Sequence, residues 1–155
     1  MAEVIPYLQG RGVVFTVIPR NAAAGDVEAA APDELVAKTV VAISNPGPAL
    51  LVIPASRALD ADLVLEALGD PEMHLANDRE LEIEFPDYEP GALPPLSMLL
   101  LAPMYVDPSV VERDEIVFAA GRNDVAVKMA TRDLIGTDPV VIAPLTSESR
   151  IAASS

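Results

Sequence analysis

The chain of 155 residues has no cysteine, no tryptophan, one histidine and two lysines. Without cysteine, disulfides and thiolate metal sites are excluded, which suits the cytoplasmic location expected here. A Ser-His-Asp triad would have to be built on His74, and no Gly-x-Ser-x-Gly elbow accompanies it. Beside Met73 and Leu75, His74 reads as a surface or half-buried side chain. No set of His, Cys or carboxylate ligands stands in register for zinc. Asp60-Ala-Asp62 reads as the charged start of a helix rather than a calcium pair. A phosphate loop and a dinucleotide fingerprint are both missing, so neither metal nor cofactor is expected.

Long apolar runs are missing too. The most apolar segment, Leu93–Val106, is interrupted by Pro94, Pro95 and Pro103 and is too short to span a bilayer. The start, Met-Ala-Glu-Val-Ile-Pro, lacks the basic and apolar stretches of a signal peptide. A soluble protein with no membrane partner is expected. Positive charge is equally scarce: 10 Lys and Arg face 24 Asp and Glu, a net charge of −14. Such a surface repels phosphate backbones, so general nucleic-acid affinity should be poor and DNA is not an expected partner. The acidity reads first as a solubility device, of use in a salty cell interior. No oligomeric state is legible.

What is present is an aliphatic core: 51% of residues are apolar but only 4% are aromatic, so Val, Leu, Ile and Ala must do the packing. One domain over residues 1–146 is expected, with a flexible tail over 147–155. Glu3–Gly12 reads as a helix with Val4 and Leu8 on one face and Gly10 or Gly12 at its end. Val13–Ile18 reads as a strand and the alanine-rich Asn21–Pro32 as a short helix. Leu35–Ile43 and Ala49–Pro54 form two strands around the turn Asn45-Pro-Gly-Pro48. Ser56 or Asp60 caps a helix that runs to Leu68 and stops at Gly69. Asp78–Phe85 fits either period: Leu81, Ile83 and Phe85 alternate with glutamates, yet Asp78 makes a fair N-cap. Ser97–Val106 reads as a strand broken by Pro103. Glu115–Ala120 and Val125–Met129 read as strands joined by Gly121-Arg-Asn-Asp124. Ser109–Arg113 and Thr131–Ile135 read as short helices, the second capped by Thr131 with Asp133 at its positive end. The sum is a mixed α/β domain of about six or seven strands, too rich in hairpins for a doubly wound parallel sheet.

Two positions survive the chemical exclusions. Lys38 lies inside the apolar strand, sharing one face with Val36 and Val40. Either its stem is buried and its ammonium reaches the rim, or the ammonium faces a pocket where it binds an anion or polarises an ester carbonyl. Gly91, in the stiff stretch Pro90-Gly-Ala-Leu-Pro-Pro95, is free to take a positive φ and let a ligand approach the backbone; an ordinary tight turn is the plainer reading.

Five segments occur in an order that resembles the YbaK/prolyl-tRNA-synthetase-associated editing family. They are Ala37-Lys-Thr-Val-Val41; Ile53-Pro-Ala-Ser-Arg57 with Leu59-Asp60; Phe85-Pro-Asp-Tyr-Glu-Pro-Gly-Ala-Leu-Pro-Pro95; Met104-Tyr-Val-Asp107; and Asp114-Glu-Ile-Val-Phe-Ala-Ala-Gly121. The resemblance runs from about Val13 to Ile135. It implies a mixed α/β fold with a curved, barrel-like sheet and short flanking helices. It also implies a carboxylic ester hydrolase: a trans-acting deacylase whose partner is the 3′ acceptor end of mischarged aminoacyl-tRNA. By the same resemblance, Lys38 and Gly91 are the catalytic positions. Ala92, Leu93, Pro94 and Pro95 of the Gly-x-x-x-Pro loop, with Ser56, Arg57 and Gly121, are the substrate-binding ones. The loop backbone would hold the substrate carbonyl, while the terminal ribose hydroxyl assists the attack of water. Ser56 and Arg57 read equally as residues capping the next helix and facing solvent.

The chain departs from the family in three places. Pro19-Arg20 stands where relatives often carry a histidine, Ser97 replaces a usual glycine, and the place of an acidic residue in the last strand falls near Ala126, with Asp124 close by. A binding module without turnover, taking a small amino-acid-like ligand or a protein partner, is therefore the competing expectation. A general esterase is weaker because no activated nucleophile is visible.

Overall fold

The structure is a computed structural model, and it describes residues 4–19, 36–45, 47–122, 124–137 and 139–147. The expected helix over Asn21–Pro32 and nearly all of the expected tail lie outside these residues.

Helix α1 (Val4–Gly10) buries Val4 and Leu8, four apart on one face, and the chain leaves it through Gly12 at φ +72°. Strand β1 (Phe15–Pro19) follows. Strands β2 (Ala37–Ile43) and β3 (Pro48–Pro54) pair antiparallel, with Lys38 opposite Ile53 and Val41 opposite Leu50. Their connection is held by the Ser44 amide and hydroxyl, which both donate to the Gly47 carbonyl.

Helix α2 (Ala61–Leu68) is capped by Asp60, which accepts from the amides of Asp62 and Leu63, so Ser56 is not the cap. It ends on left-handed Gly69, φ +68°. Strand β4 (His74–Leu75) pairs with Ala42 and Ile43 of β2. The ambiguous stretch is helical: α3 (Asp78–Glu84) starts from a capping box in which Asn77, rather than Asp78, is the N-cap and Glu80 the reciprocal partner. Alternating glutamates carry little weight against two satisfied end amides in a segment whose helical residues bury nothing.

Ser97–Val106 is not one strand. Ser97–Leu100 forms helix α4, which ends on Leu101 at φ +56°, and strand β5 (Met104–Val106) begins only after Pro103. Helix α5 (Pro108–Val111) has proline at its first position and Asp107 as its cap. Strands β6 (Glu115–Ala119) and β7 (Val125–Ala130) form the expected hairpin. Helix α6 (Thr131–Thr137) begins at Thr131, but the Thr131 Oγ1 is buried without a partner, so it caps nothing. Strand β8 (Val141–Ile142) closes the order.

The strands form an antiparallel sheet β1-β7-β6 and a mixed sheet β4-β2-β3-β5-β8, in which β3-β5 and β5-β8 are parallel. Among the described residues a single parallel bridge, Val36 to Val117, joins the two sheets, and they do not close into a barrel. β3 explains the layering. Its Leu50 and Val52 join a core with Met104, Val106, Ile116, Phe118 and Val127, while Leu51 and Ile53 join a second with Val64 and Leu145. Both faces are covered, so the strand reads as an unbroken apolar run.

Within the second layer sits a buried carboxylate. Asp107 Oδ1 accepts from the Ser109 amide (3.0 Å) and hydroxyl (2.6 Å), and Oδ2 from the Leu145 amide (2.9 Å), the Thr146 amide (3.0 Å) and the Thr146 hydroxyl (3.2 Å). The C-terminal segment is thereby bound to the end of β5. Ser147, expected as the start of the tail, donates from its hydroxyl to Asp60 Oδ2 at 3.0 Å. Among the described residues no helix is long and apolar enough to cross a membrane.

Two surface carboxylates clamp turns. Asp70 accepts from the amides of Asn45 and Glu72, which hold its pKa below the ordinary value. Glu80 is lowered first by the hydrogen bond from His74 (2.7 Å) and then by the Asn77 amide. A lowered folded-state pKa contributes stability above the unfolded value, and that contribution disappears as pH falls through the folded one. On acid titration the Asn45 and Asn77 amide resonances should therefore move with midpoints below those of carboxylates in unstructured peptides. Midpoints at or above those values would show that neither clamp operates in solution.

Candidate functional site

Gly91 has φ +86°, a left-handed value that strains any residue with a Cβ. It is held there by its neighbours. The Ala92 amide donates to the Glu89 carbonyl at 2.9 Å, closing a tight turn around Pro90-Gly91. Gly121, itself at φ +91°, binds that turn from both sides. Its amide donates to the Ala92 carbonyl (2.8 Å), and its carbonyl accepts from the Glu89 amide (2.9 Å). Beyond Gly91 the loop sinks inward: Ala92, Leu93, Pro94 and Pro95 are buried, and Leu93 joins the main core. Two prolines suit such a descent because they bring no N–H to be satisfied. Gly91 alone stays exposed, and a Cβ built on it would meet no atom within 4 Å.

Lys38 stands one strand away. Val36, two residues before Lys38, bridges Val117 in parallel, and Gly121 follows Val117 by four residues along that chain direction. Ser56 and Arg57 turn the corner at the Lys38 end of the β2–β3 pair: Pro54 is opposite Ala37, and the Ala55 amide donates to the Val36 carbonyl. Ser56 is exposed; Arg57 is half-buried and partnered.

The Gly91–Gly121 clamp and the Lys38–Ser56–Arg57 corner thus adjoin different sheets, which the Val36–Val117 bridge joins. No hydrogen bond joins Lys38 to the clamp among the described residues. Lys38 is exposed, and its ammonium has no ion pair or hydrogen bond among the described residues. It sits between apolar Val36 and Val40 yet keeps its hydration, which is how an isolated lysine avoids the cost of burial. Beside it, the Thr39 Oγ1 is buried with no partner, a feature that the sequence did not single out.

The departures from the family pattern also have a place. Ala126 is buried with Val36 and Val117 under the seam. Asp124 is engaged by Arg122 through two bonds of 3.1 and 3.2 Å, so its charge is neutralised. Ser97 is buried and donates to the Pro139 carbonyl at 3.1 Å. His74 is exposed and bound to Glu80, on the surface as expected.

Two cavities lie elsewhere. One, about 340 Å³, is apolar, lined by Met98, Leu101, Pro103 and Val141 among others. The other, about 680 Å³, lies at the open end of the β6–β7 hairpin. Neither was legible in the sequence, because each is assembled from segments far apart along the chain.

Comparison with solved structures gives the same fold. The hypothetical protein APE2540 superposes with a TM-score of 0.80 at 21% identity, covering 93% of this chain and 99% of that one. A proposed trans-editing enzyme for prolyl tRNA synthetase superposes with a TM-score of 0.79 at 19% identity, covering 95% and 99%. In sequence, a proposed Cys-tRNA(Pro)/Cys-tRNA(Cys) deacylase, EbsC of Enterococcus faecalis, is 24% identical over 112 residues, covering 72% of this chain and 68% of EbsC. The family model for the aminoacyl-tRNA editing domain matches residues 20–137, which contain Lys38, the Gly91 turn and Gly121. With well over half of its length matched, the chain belongs to the aminoacyl-tRNA editing domain family.

Proposed function

We propose that this protein is a trans-acting aminoacyl-tRNA deacylase that hydrolyses the ester joining a wrongly attached amino acid to the tRNA 3′ end. The names of EbsC and of the prolyl-tRNA trans-editing neighbour support the reading. The observation that carries it is the clamp of Gly121 on the Gly91 turn, which leaves one exposed glycine at the seam that also bears Lys38. Water adds to the ester carbonyl, its proton passes to the departing ribose oxygen, and a free amino acid and a 3′-terminal hydroxyl result. With no cysteine and a distant histidine, the neighbouring ribose hydroxyl orients the water, and the protein supplies position and charge. Of the residues Gly91–Pro95, the prolines have no N–H and that of Ala92 is already bonded to Glu89. The amides left for a developing oxyanion are those of Gly91 and Leu93. Lys38 holds a ribose or phosphate oxygen, with Arg57 at a neighbouring phosphate.

Editing is needed because one pocket separates side chains by only about 1–3 kcal/mol per methylene. A panel of mischarged tRNAs, followed by release of the free amino acid across a salt series, tests the proposal. Hydrolysis of at least one species, weakening steeply with salt, is expected. Silence across the panel would select a second reading, a binding module without turnover, which the exposure of Lys38 favours. Gly91→Val should cut turnover by at least a hundredfold, because the added side chain fills the open space before the amides. It should destabilise the fold by only about 1–2 kcal/mol, the cost of a left-handed backbone. Unchanged turnover in that variant would remove the loop from the mechanism.

A further inference from the structure

The cavity at the open end of the β6–β7 hairpin has walls of both charges. Glu112, Arg113 and Asp114, between α5 and β6, face Arg132 near the start of α6, over an apolar floor that includes Val111, Ala130 and Ile135. The Thr131 amide donates to the Asp114 carbonyl at 3.0 Å and so fixes the two sides of the cavity relative to each other. Opposite charges that share a cavity ordinarily pair. Here, among the described residues, the side chains of Glu112, Asp114 and Arg132 form no ion pair and no hydrogen bond, with one another or with anything else. The scaffold holds them apart around an open space of about 680 Å³.

We infer that this cavity binds a free aliphatic α-amino acid as its zwitterion. Arg132 takes the α-carboxylate in a forked pair of two parallel N–H···O bonds. Glu112 and Asp114 take the α-ammonium, and Val111 and Ile135 take the side chain. Charge selects the ligand class. The charged lining balances, Glu112 and Asp114 against Arg113 and Arg132, so the cavity offers a phosphate or a polyanion no net attraction to offset the field of a molecule of net charge −14. A zwitterion carries no net charge, meets no such repulsion, and is complementary to both signs. The site is separate from the one proposed for hydrolysis: Asp114 and Gly121 are seven residues apart along the hairpin, roughly 20 Å at the strand rise.

The test is titration of the purified protein with L-leucine and L-valine, followed by amide chemical shifts and calorimetry. The inference expects shifts at Asp114, Arg132 and Ile135. It also expects binding at least tenfold weaker for N-acetyl-L-leucine and for L-leucinamide, each of which lacks one of the two charges. Arg132→Ala, and Glu112→Gln combined with Asp114→Asn, should each weaken binding at least tenfold. Because these side chains are exposed, their melting temperatures should stay near that of the unaltered protein. Lys38→Ala, which alters the proposed hydrolytic site, should bind leucine as before, so the two proposals can fail separately. The inference is overturned if inorganic phosphate binds here and leucine does not. Equal affinity for the capped derivatives, loss of binding in Lys38→Ala with none in Arg132→Ala, or no shift at millimolar amino acid would also overturn it.

Discussion

Lys38→Ala is expected to lower deacylation of mischarged tRNA by about 10²–10³-fold, the loss typical when one donor to a developing charge is removed. The reason is local. Lys38 is the one cation in β2, it lies two residues from the Val36–Val117 bridge between the sheets, and no carboxylate among the described residues has claimed it. An unclaimed ammonium brings its whole charge to an anionic substrate, in a protein whose overall charge works against that substrate. Stability should change by no more than about 0.5 kcal/mol, because the side chain is exposed and carries no partner among the described residues. The kinetics also divide the roles. If the ammonium stabilises the transition state, kcat falls; if it only holds the acceptor end, KM rises and kcat stays. In the second case the dependence of log Kd on log salt should flatten by about 0.7 for a single-stranded terminus. Lys38→Arg should restore part of the binding but not the rate, since a planar fork is a poor replacement for a compact ammonium. Full turnover by Lys38→Ala across a panel of mischarged tRNAs would end the proposed role.

Asp107→Ala should be the most damaging change to the fold. Removing the carboxylate takes an acceptor from the amides of Leu145 and Thr146 and from the Thr146 hydroxyl, in a place with no exposed surface. It also takes the cap from α5. Each buried donor that loses its acceptor costs about 1–3 kcal/mol, so about 3–5 kcal/mol in all is expected, and at about 2–4 °C per kcal/mol for a chain of this size the melting temperature should fall by roughly 10 °C. Asp107→Asn should fall short of full rescue, because its amide nitrogen presents hydrogens to groups that are themselves donors. Thermal and urea unfolding measure both. A loss below about 1 kcal/mol for the alanine variant would mean that the C-terminal segment is held by its apolar contacts, Leu145 above all.

How far the sequence could be read follows from which interactions are local. The helix ending at Gly69 and the turn between β2 and β3 are set by residues within a few positions of each other, and there the expectation matches the structure. For Asp78–Glu84 both periods were written into the same residues, and the choice fell to the capping box of Asn77 and Glu80. Thr131 misled for the complementary reason: threonine favours helix starts, but here its hydroxyl is turned into the interior without a partner. Ser97–Leu100 looked extended beside its prolines. The structure instead makes one helical turn after Pro95, reversed by Leu101 in a left-handed conformation.

The site divides in the same way. Lys38 in an apolar strand and Gly91 between stiff residues stand out in the sequence because each breaks its local pattern. How the segments that carry them are joined does not, since it depends on the Val36–Val117 bridge between residues 81 positions apart. The role of the Asp107 carboxylate was not legible either, since the Leu145 and Thr146 groups that it binds come from the far end of the chain.

By itself, then, the order of residues determined the strand and helix segments with strong local signals, the aliphatic character of the core, and the membership that five ordered segments announce. Only the tertiary structure decided that Lys38 is exposed, that Gly121 holds the Gly91 turn, and that Arg132 faces Glu112 and Asp114 across a cavity. The physical reason is range. Propensities, caps and periodicity act over a few residues, whereas exposure, clamping and charge facing charge arise where distant segments meet.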